Sequence, residues 1–375
     1  MYIQSLSVDA IGGIPKLNLS FDRSMNIICG PNGIGKTTIL DCIAHLLSGG
    51  TVRLKRSALS DSGSVRGCVV IRDEPVTLEM SISQFAPNKE DHSHGVHVED
   101  AEAELLVLKV GRTFDYRALD AVSRDVEKPR HVVWNDARSG VPIHDVKNWF
   151  VNRYLYSAHD TLTTAQLENL QLAKSAFGLL NPSFDFSRVD ASTNEIMVRT
   201  PTGEIYFEYL SSGFKSILSI VFGIIKEIEY RFAAKGIYAK EFSGIVLIDE
   251  VELHLHPEWQ SRVCSVLQAC FPRAQFVCTT HSPHVVQSAD ASQVVAIELS
   301  DDTLSRRDLS ESKYGFKGWT IEEVLVDVMG MVDLTTAELR RALSEFESAV
   351  DAEDAETARS QYIELTQMLH PQSRL

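Results

Sequence analysis

Residues 30–37 read GPNGIGKT, and the rest of the chain is interpreted outward from this stretch. It fills every fixed position of the phosphate-loop pattern G-x-x-x-x-G-K-[ST]. Before it lies Asn26–Cys29, a run typical of a buried strand, and after it lies a predicted helix, Lys36–Leu47. Glycines let backbone N–H groups turn toward phosphate, and the helix N-terminus adds a positive dipole end. We therefore predict an ATP and Mg²⁺ site in which Lys36 reaches the β- and γ-phosphates and Thr37 binds the metal. The other predicted phosphate contacts are Asn32, Gly33, Gly35 and Thr38.

A second motif follows an apolar strand. Ile245–Ile248 contains only Ile, Val and Leu, which is typical of a strand buried in a parallel sheet, and Asp249 and Glu250 come directly after it. Carboxylates at the carboxyl end of such a strand lie in the crevice where ligands bind. We predict that Asp249 joins the Mg²⁺ shell and that Glu250 orients and deprotonates the attacking water, which makes the chain an ATP hydrolase. A solvated acidic turn is the alternative, and the phosphate loop weighs against it.

The composition limits the classes of partner. The 375 residues include 51 Asp and Glu against 36 Lys and Arg, a formal net charge of −15. Because phosphate neutralisation is the main source of affinity for nucleic acid, this balance argues against a chain that wraps broadly around it, but leaves a local basic patch open. The six cysteines are scattered without a CxxC pair, which favours free thiols. We expect a cytoplasmic protein without a membrane partner, since neither a signal peptide nor a membrane-spanning apolar run is recognisable.

The alternation of predicted strands and helices indicates an α/β fold. We expect a first ATPase lobe with the phosphate loop in residues 1–110 and a helical insertion region in 111–194. Residues 195–300 hold the second part of the ATPase, and 301–375 form a C-terminal helical extension. The helices of this extension have apolar stripes that either pack internally or form a docking surface.

Leu210–Phe214 reads LSSGF and begins a predicted long helix that continues to Ala234. It resembles the LSGGQ signature of ABC-type ATPases, in the relaxed form of their SMC-like and OLD-like branches. The resemblance implies an ABC-type P-loop ATPase head with a mixed β-sheet lobe, a helical lobe and C-terminal helices. It also implies a homodimer in which Ser211, Ser212 and Gly213 of one copy grip the γ-phosphate held by the other copy. A plain Ser/Gly helix cap is the alternative.

Three further positions take their roles from the same resemblance. Residues 278–283 read CTTHSP, and a histidine at this place contacts the γ-phosphate in the family, so the role goes to His281. Residues 252–257 read ELHLHP, a stretch that the OLD-like and related branches have where their dimer-contact loop lies. The family also has a glutamine that senses Mg²⁺ and water, and Gln84 is the candidate here.

Two groups of histidines suggest metal sites, and in both cases we favour the simpler interpretation. His254 and His256 are one residue apart, but no further ligands stand beside them in the sequence. His92, His94 and His97 fall in a polar stretch that is more typical of a solvated loop than of a zinc site.

The ELHLHP stretch and the tail from Thr320 onward resemble compact ATPases of bacterial anti-phage systems of the Septu type and the retron-associated type. This resemblance implies an ATPase that dimerises around ATP-Mg²⁺ and restrains or triggers a separate effector, a nuclease. One alternative is a repair-type ATPase that binds DNA, and another is an OLD-like nuclease on the same chain, for which Asp301–Asp302 is a weak carboxylate pair. A scaffold that binds ATP without hydrolysing it is a third, and Glu250 argues against it.

Overall fold

The computed structural model describes residues 1–93, 101–111, 118–143, 145–300, 303–309, 314–332 and 334–369. His94, His97, Asp301 and Asp302, which the sequence analysis considered, lie outside these residues. The described residues divide into two compact units, Met1–Gly330 and Met331–Leu375.

The strands of the first unit form one large sheet and two small ones. In chain order they are β1 (Tyr2–Ile11), β2 (Ile14–Ser20), β3 (Met25–Cys29), β4 (Gly50–Val52), β5 (Gly63–Ile71), β6 (Glu74–Ile82), β7 (Asp91–Ser93), β8 (Leu105–Leu108), β9 (Asp185–Val189), β10 (Ile196–Thr200), β11 (Gly203–Tyr206), β12 (Ile245–Ile248), β13 (Gln275–Thr279), β14 (Val294–Ser300) and β15 (Thr303–Arg306). In the described part of the chain, the large sheet has the order β6-β5-β1-β2-β15-β14-β3-β13-β12-β8. The small sheets have the orders β11-β10-β9 and β4-β7.

One half of the large sheet is parallel, as the apolar strand sequences predicted. β14, β3, β13, β12 and β8 lie side by side and run in one direction. The register sets Ile248 beside Cys278 and Thr279 beside Ile28, so β12, β13 and β3 end at the same edge of the sheet. The phosphate loop follows β3 at this edge, and Asp249 follows β12. The parallel pairing therefore brings the two sequence motifs together.

The other half of the sheet is antiparallel. β1 pairs with β2 and β5, and β5 pairs with β6. Leu6 and Val8 are buried, whereas Ser7 and Asp9 are exposed, the period of two that one covered face produces. β15 joins the two halves, because it is antiparallel to β14 and parallel to β2.

Helices cover both faces of the parallel strands. In the described part of the first unit the helices are α1 (Lys36–Ser48), α2 (Arg130–Ser139), α3 (Val146–Tyr156), α4 (Thr164–Leu180), α5 (Ser212–Arg231), α6 (Pro257–Gln260), α7 (Val263–Cys270), α8 (Pro283–Ser288) and α9 (Ile321–Glu323). The second unit is separate and has α10 (Ala337–Asp351) and α11 (Ala355–Met368). Neighbouring residues of β3 face opposite sides: Ile27 packs in a core built with α3, α4, α5 and α7, and Ile28 packs in a core built with α1. This arrangement confirms the predicted α/β class.

The predicted elements differ from the observed ones at their ends and in the short strands. The sequence from Pro257 to Cys270 predicts one helix, but the segment forms two, α6 and α7, with a break at residues 261–262. The sequence from Glu204 to Tyr209 predicts one strand, but β11 ends at Tyr206, and Phe207–Tyr209 form a 3₁₀ turn. β15, β9 and β7 were not predicted, since segments of three to five residues give little periodicity to recognise.

The second unit contains a pair of helices, α10 and α11. Ala342 and Ala349 are buried on α10 and Leu365 is buried on α11. The rings of Phe346 and Tyr362 lie 6.3 Å apart between their centroids, so the two predicted stripes meet. Over all the described ranges, no helix has both the length and the apolar character needed to cross a bilayer.

Helix α5 contributes a buried carboxylate to the larger core. Glu229 accepts hydrogen bonds from the indole N–H of Trp149 at 2.8 Å, the guanidinium Nε of Arg153 at 2.8 Å and the amide of Asn169 at 3.1 Å. Burial raises the pKa of Glu229, while the charge of Arg153 and the three donors act in the opposite direction. A second carboxylate, Asp125, pairs with Arg153 as well. The cluster joins α3, α4 and α5 through polar contacts inside an otherwise apolar core.

Glu229→Ala is expected to lower the free energy of unfolding by about 3–5 kcal/mol, because it leaves the buried guanidinium of Arg153 with one partner fewer. Urea unfolding followed by circular dichroism measures this loss. The control is Glu79→Ala, which removes the exposed partner of Arg66 and is expected to cost at most about 1 kcal/mol. Equal losses in the two variants would contradict the assignment of a structural role to Glu229.

Candidate functional site

The phosphate loop has the backbone that its glycines were expected to provide. Gly30 has a φ of 148°, and a Cβ added to it would lie 2.6 Å from the carbonyl oxygen of Ile297 in β14. Gly35 has a φ of 100° and forms the N-cap of α1, where an added Cβ would lie 2.9 Å from the side chain of Ile14. Both positions therefore require glycine, for conformation and for space.

Lys36 lies inside this loop. Its ammonium group donates to the carbonyl oxygens of Gly30 at 2.9 Å and of Pro31 at 3.0 Å. Burial lowers the pKa of Lys36, and nearby anionic groups, among them Glu250 and Asp249, act in the opposite direction. A cation held in such a place favours an anionic ligand, because the ligand would replace hydration that the loop has removed.

Asp249 lies between two threonine hydroxyls. The hydroxyl of Thr37, in the first turn of α1, donates to the Asp249 carboxylate with 3.1 Å to each oxygen. The hydroxyl of Thr279, the last residue of β13, donates to Oδ1 at 2.6 Å. The carboxylate is buried and so has its position fixed from both sides. The structure thus brings together Thr37 and Asp249, which the sequence analysis predicted as Mg²⁺ ligands.

Glu250 follows in a strained backbone conformation. Its φ is 48°, in the left-handed region that costs a residue with a side chain about 1–2 kcal/mol. Its backbone N–H donates to the hydroxyl of Thr279 at 2.7 Å, so the same hydroxyl contacts both acidic residues. Strain that the surrounding contacts hold in place is typical of functional sites.

A further carboxylate, that of Glu252, holds the turn that contains His281. One Glu252 oxygen accepts from the hydroxyl of Thr280 at 2.7 Å, and the other accepts from the backbone N–H of His281 at 2.5 Å. The side chain of His281 itself is exposed at the edge of the sheet where β13 ends. The two acidic stretches after β12 and the histidine turn after β13 are therefore coupled by direct hydrogen bonds.

The signature segment forms the tip of α5. Ser211 is the N-cap, and its hydroxyl oxygen accepts from the backbone N–H of Phe214 at 3.3 Å. The alternative interpretation of this segment, a plain Ser/Gly helix cap, predicts the same hydrogen bond. Ser211 and Ser212 are exposed, whereas Gly213 is buried against Trp259 of α6. A Cβ added to Gly213 would lie 2.7 Å from Trp259 Cδ1, so the glycine allows the helix tip to pack on this indole.

The remaining predicted residues lie as follows. Asn32 and Gly33 are exposed in the loop, and Thr38 is half-buried in the first turn of α1. Gln84 follows β6, where its backbone N–H donates to Asp91 at 2.9 Å and its side-chain amide to Ser83 at 3.3 Å. These contacts attach Gln84 to its own loop, and its role toward Mg²⁺ stays a prediction.

The candidate histidine ligands are dispersed. His256 caps α6 by accepting from the backbone N–H of Glu258 at 3.5 Å, and His254 is exposed with a φ of 66°. His92 is exposed in β7. Among the residues that the structure describes, no three His, Cys, Asp or Glu side chains are grouped to hold a metal ion.

Sequence reasoning gave no role to Thr279, Glu252 or Trp259. Thr279 had a recognisable signal, because it is the polar residue that ends an apolar strand next to the strand carrying Asp249. Glu252 stood in a motif already noted, but its partner is 28 residues away in the chain. The packing of Trp259 on Gly213 joins segments of the chain with no sequence relation that reveals their contact.

The donor set fits a nucleotide with Mg²⁺. Three features form a cradle for phosphate groups: the positive-φ glycines of the loop, the ammonium group of Lys36 and the N-terminus of α1. The hydroxyl of Thr37 and the carboxylate of Asp249 are hard oxygen ligands of the kind Mg²⁺ prefers.

Comparison with known proteins identifies the family. A family model described as "AAA domain, putative AbiEii toxin, Type IV TA system" matches residues 25–287. A Septu protein PtuA from Bacillus thuringiensis is 42% identical over 380 aligned residues, which cover 100% of this chain and 96% of the relative. The chain belongs to the Septu PtuA family. The resemblance to Septu-type and retron-associated ATPases of anti-phage defence is thereby confirmed.

More distant members of the Septu PtuA family and related ATPases match in part. A Septu protein PtuA from Bacillus mycoides (strain KBAB4) is 26% identical over 72% of this chain and 36% of that protein. The "Retron Ec83 probable ATPase" of Escherichia coli is 29% identical over 34% of this chain and 23% of its own length. Among solved structures, an SMC head bound to the C-winged helix domain of ScpA has a TM-score of 0.49 at 16% identity, with 84% of this chain and 99% of that chain covered.

Thr279→Val is expected to slow ATP hydrolysis about tenfold or more and to raise the Mg²⁺ concentration needed for half-maximal activity. The substitution keeps the shape but removes the hydroxyl that holds Asp249 and accepts from the Glu250 N–H. Steady-state hydrolysis measured over a Mg²⁺ titration gives both values. The control is Thr200→Val, which removes hydroxyl contacts in the β10–β11 turn and should leave both values unchanged. If Thr279→Val has the parent Mg²⁺ dependence, the positioning role of Thr279 is wrong.

Proposed function

We propose that this protein is an ATP hydrolase whose nucleotide state controls a partner effector. The observation that carries the proposal is the contact of Thr37 with Asp249, because it joins the phosphate loop to the acidic strand end as an ATP-Mg²⁺ site requires. Family membership supports the same reading, since relatives include two retron proteins whose names contain the words "probable ATPase".

The proposed chemistry divides among residues of the site. The loop N–H groups and Lys36 bind the phosphates, and Thr37 and Asp249 hold Mg²⁺, with Thr279 keeping Asp249 in position. Bound Mg²⁺ supplies neutralisation of the charge that builds on the phosphate oxygens during transfer. Glu250 takes the proton of the attacking water, and its left-handed backbone, held by the Thr279 hydroxyl, aims the carboxylate.

A second copy of the chain is proposed to complete the site with the tip of its α5. The N-terminus of α5 and the exposed hydroxyls of Ser211 and Ser212 offer hydrogen-bond donors. In the proposal, these donors bind the γ-phosphate held by the phosphate loop of the other copy. Trp259 joins this tip to the ELHLHP turn, and Glu252 joins that turn to His281. These contacts support a mechanism in which ATP draws two copies together and hydrolysis releases them.

The effector is proposed to be a separate nuclease. The resemblance of the ELHLHP stretch and of the tail to Septu-type and retron-associated ATPases implies a nuclease, and the relatives named above are Septu and retron proteins. The ATP-bound dimer and the separated copies would present different surfaces to this nuclease. The nuclease would then bind the two states with different affinities, and this difference sets how strongly ATP controls the nuclease.

Glu250→Gln is expected to abolish hydrolysis and to accumulate an ATP-bound dimer, because the amide binds water but accepts no proton. Gel filtration with light scattering, with and without ATP-Mg²⁺, measures the dimer, and phosphate release measures the rate. The control is Glu241→Gln, an exposed residue of the same charge, which should behave as the parent chain. Parent-rate hydrolysis by Glu250→Gln would reject Glu250 as the base, and a monomer in saturating ATP would reject the shared site.

The effector assignment is tested by purification of tagged Glu250→Gln and Lys36→Ala chains from the native host. Lys36→Ala removes the cation from the phosphate cradle and is expected not to bind ATP. A nuclease is expected to co-purify in different amounts with the two variants, which mass spectrometry quantifies. Equal recovery would contradict control by nucleotide, and no nuclease with either variant would contradict the assignment of the effector.

A further inference from the structure

A second pocket lies at the opposite end of the strands that carry the phosphate loop and Asp249. Its volume is 620 Å³, a size that fits a small ligand. The pocket is lined by Ser24, Ser243 and Arg273. These residues come shortly before β3, β12 and β13, respectively. Because these strands are parallel and four or five residues long, the pocket is separated from the phosphate loop by about 13–17 Å of strand.

Three arginines converge on this pocket. Arg23, Arg72 and Arg273 all line it, and each is exposed. Within the described ranges, none of the three guanidinium groups forms a salt bridge, although Arg23 lies over the ring of Tyr2, with its Cζ 5.0 Å from the centroid. The three arginines are grouped although the chain has a net charge of −15, with 51 Asp and Glu against 36 Lys and Arg.

The carboxylates of the pocket do not balance these charges. Glu104 and Asp73 line it, but the Glu104 carboxylate lies 3.1 Å from the terminal ammonium group of Met1 and is paired with it. Asp73 is thus the one unpaired carboxylate among the described lining residues, against three guanidinium groups. The excess of positive charge favours an anionic ligand.

The backbone around the pocket is held by buried polar side chains. Gln275 exchanges two hydrogen bonds with the backbone of Ile3, each 2.8 Å, and donates a third to the Asp22 carbonyl oxygen at 2.7 Å. Asn26 donates to the same Asp22 oxygen at 2.9 Å and to the carbonyl of Phe276 at 3.1 Å. These bonds fix the turn before β3, which carries Arg23 and Ser24, onto β1 and β13. The pocket therefore has a preformed base, which lowers the cost of ordering it on binding.

We propose that this pocket is a second binding site, separate from the phosphate loop, for a phosphate-bearing ligand. Guanidinium groups donate in a planar fork that matches phosphate oxygens, and the hydroxyl of Ser243 adds a neutral donor at the rim. The hydroxyl of Ser24 already donates to the carboxylate of Asp22 at 2.7 Å and holds the turn that carries Arg23. The phosphates belong to a free nucleotide or to the end of a nucleic-acid strand, and both offer the same chemistry to the three arginines. The proposal does not depend on the ATPase mechanism.

The test uses the full chain with Lys36→Ala, so that the phosphate loop does not compete for the probe. Isothermal titration calorimetry with inorganic tripolyphosphate is expected to detect binding that weakens as salt is raised. Adding Arg72→Gln and Arg273→Gln is expected to weaken this binding about tenfold or more, because two charge-assisted hydrogen-bonding groups are lost. Adding Arg199→Gln instead, an exposed arginine of β10, is expected to leave the affinity unchanged.

Two results would overturn the site: no tripolyphosphate binding by Lys36→Ala, or equal affinity with and without Arg72 and Arg273. Thermal melting of every variant verifies that a lost signal is not lost folding. Competition with an oligonucleotide, with and without a 5′-phosphate, then identifies the source of the ligand. If the oligonucleotide with a 5′-phosphate displaces tripolyphosphate and the one without it does not, the ligand is a strand end. If ATP displaces tripolyphosphate and neither oligonucleotide does, the ligand is a free nucleotide.

Discussion

The carboxylate of Asp249, held between the hydroxyls of Thr37 and Thr279, is the contact on which the candidate site depends. It forms only because β3, β13 and β12 are adjacent, parallel and in register at their carboxyl ends. A shift of one residue in any of these pairings would turn every side chain of the shifted strand to the opposite face of the sheet. The apolar cores on both faces of the sheet fix that register. The packing of the core therefore also sets the geometry of the site at the carboxyl ends of the strands.

The acidic and histidine turns extend this constraint into a connected network. Thr279 links Asp249 to the backbone of Glu250, and Glu252 links the next turn to Thr280 and His281. From Trp259 the contact continues to Gly213 and the tip of α5. These contacts connect the acidic turn and the histidine turn with the surface that the proposal gives to the second copy.

The sequence was most informative where chemistry is local. The loop GPNGIGKT, the apolar strand before Asp249 and the capped start of α5 were all predicted from consecutive residues, and the structure has them at those positions. It was least informative for β15, which joins the halves of the sheet through a single pair, Leu304 with Leu17. Contacts between distant segments, such as Glu252 with Thr280, depend on the tertiary fold and leave no periodic signal.

The central claim is that each nucleotide is bound by the loop of one copy and the α5 tip of another, and mixing two inactive variants tests it most directly. Lys36→Ala disables the loop, and Ser212→Arg places a bulky side chain on the exposed tip without entering the core. In a mixed dimer, the intact loop of the second variant meets the intact tip of the first, so one site is restored. The account predicts that each variant alone is inactive and that ATP hydrolysis returns when the two are mixed. A mixture as inactive as its components would contradict it.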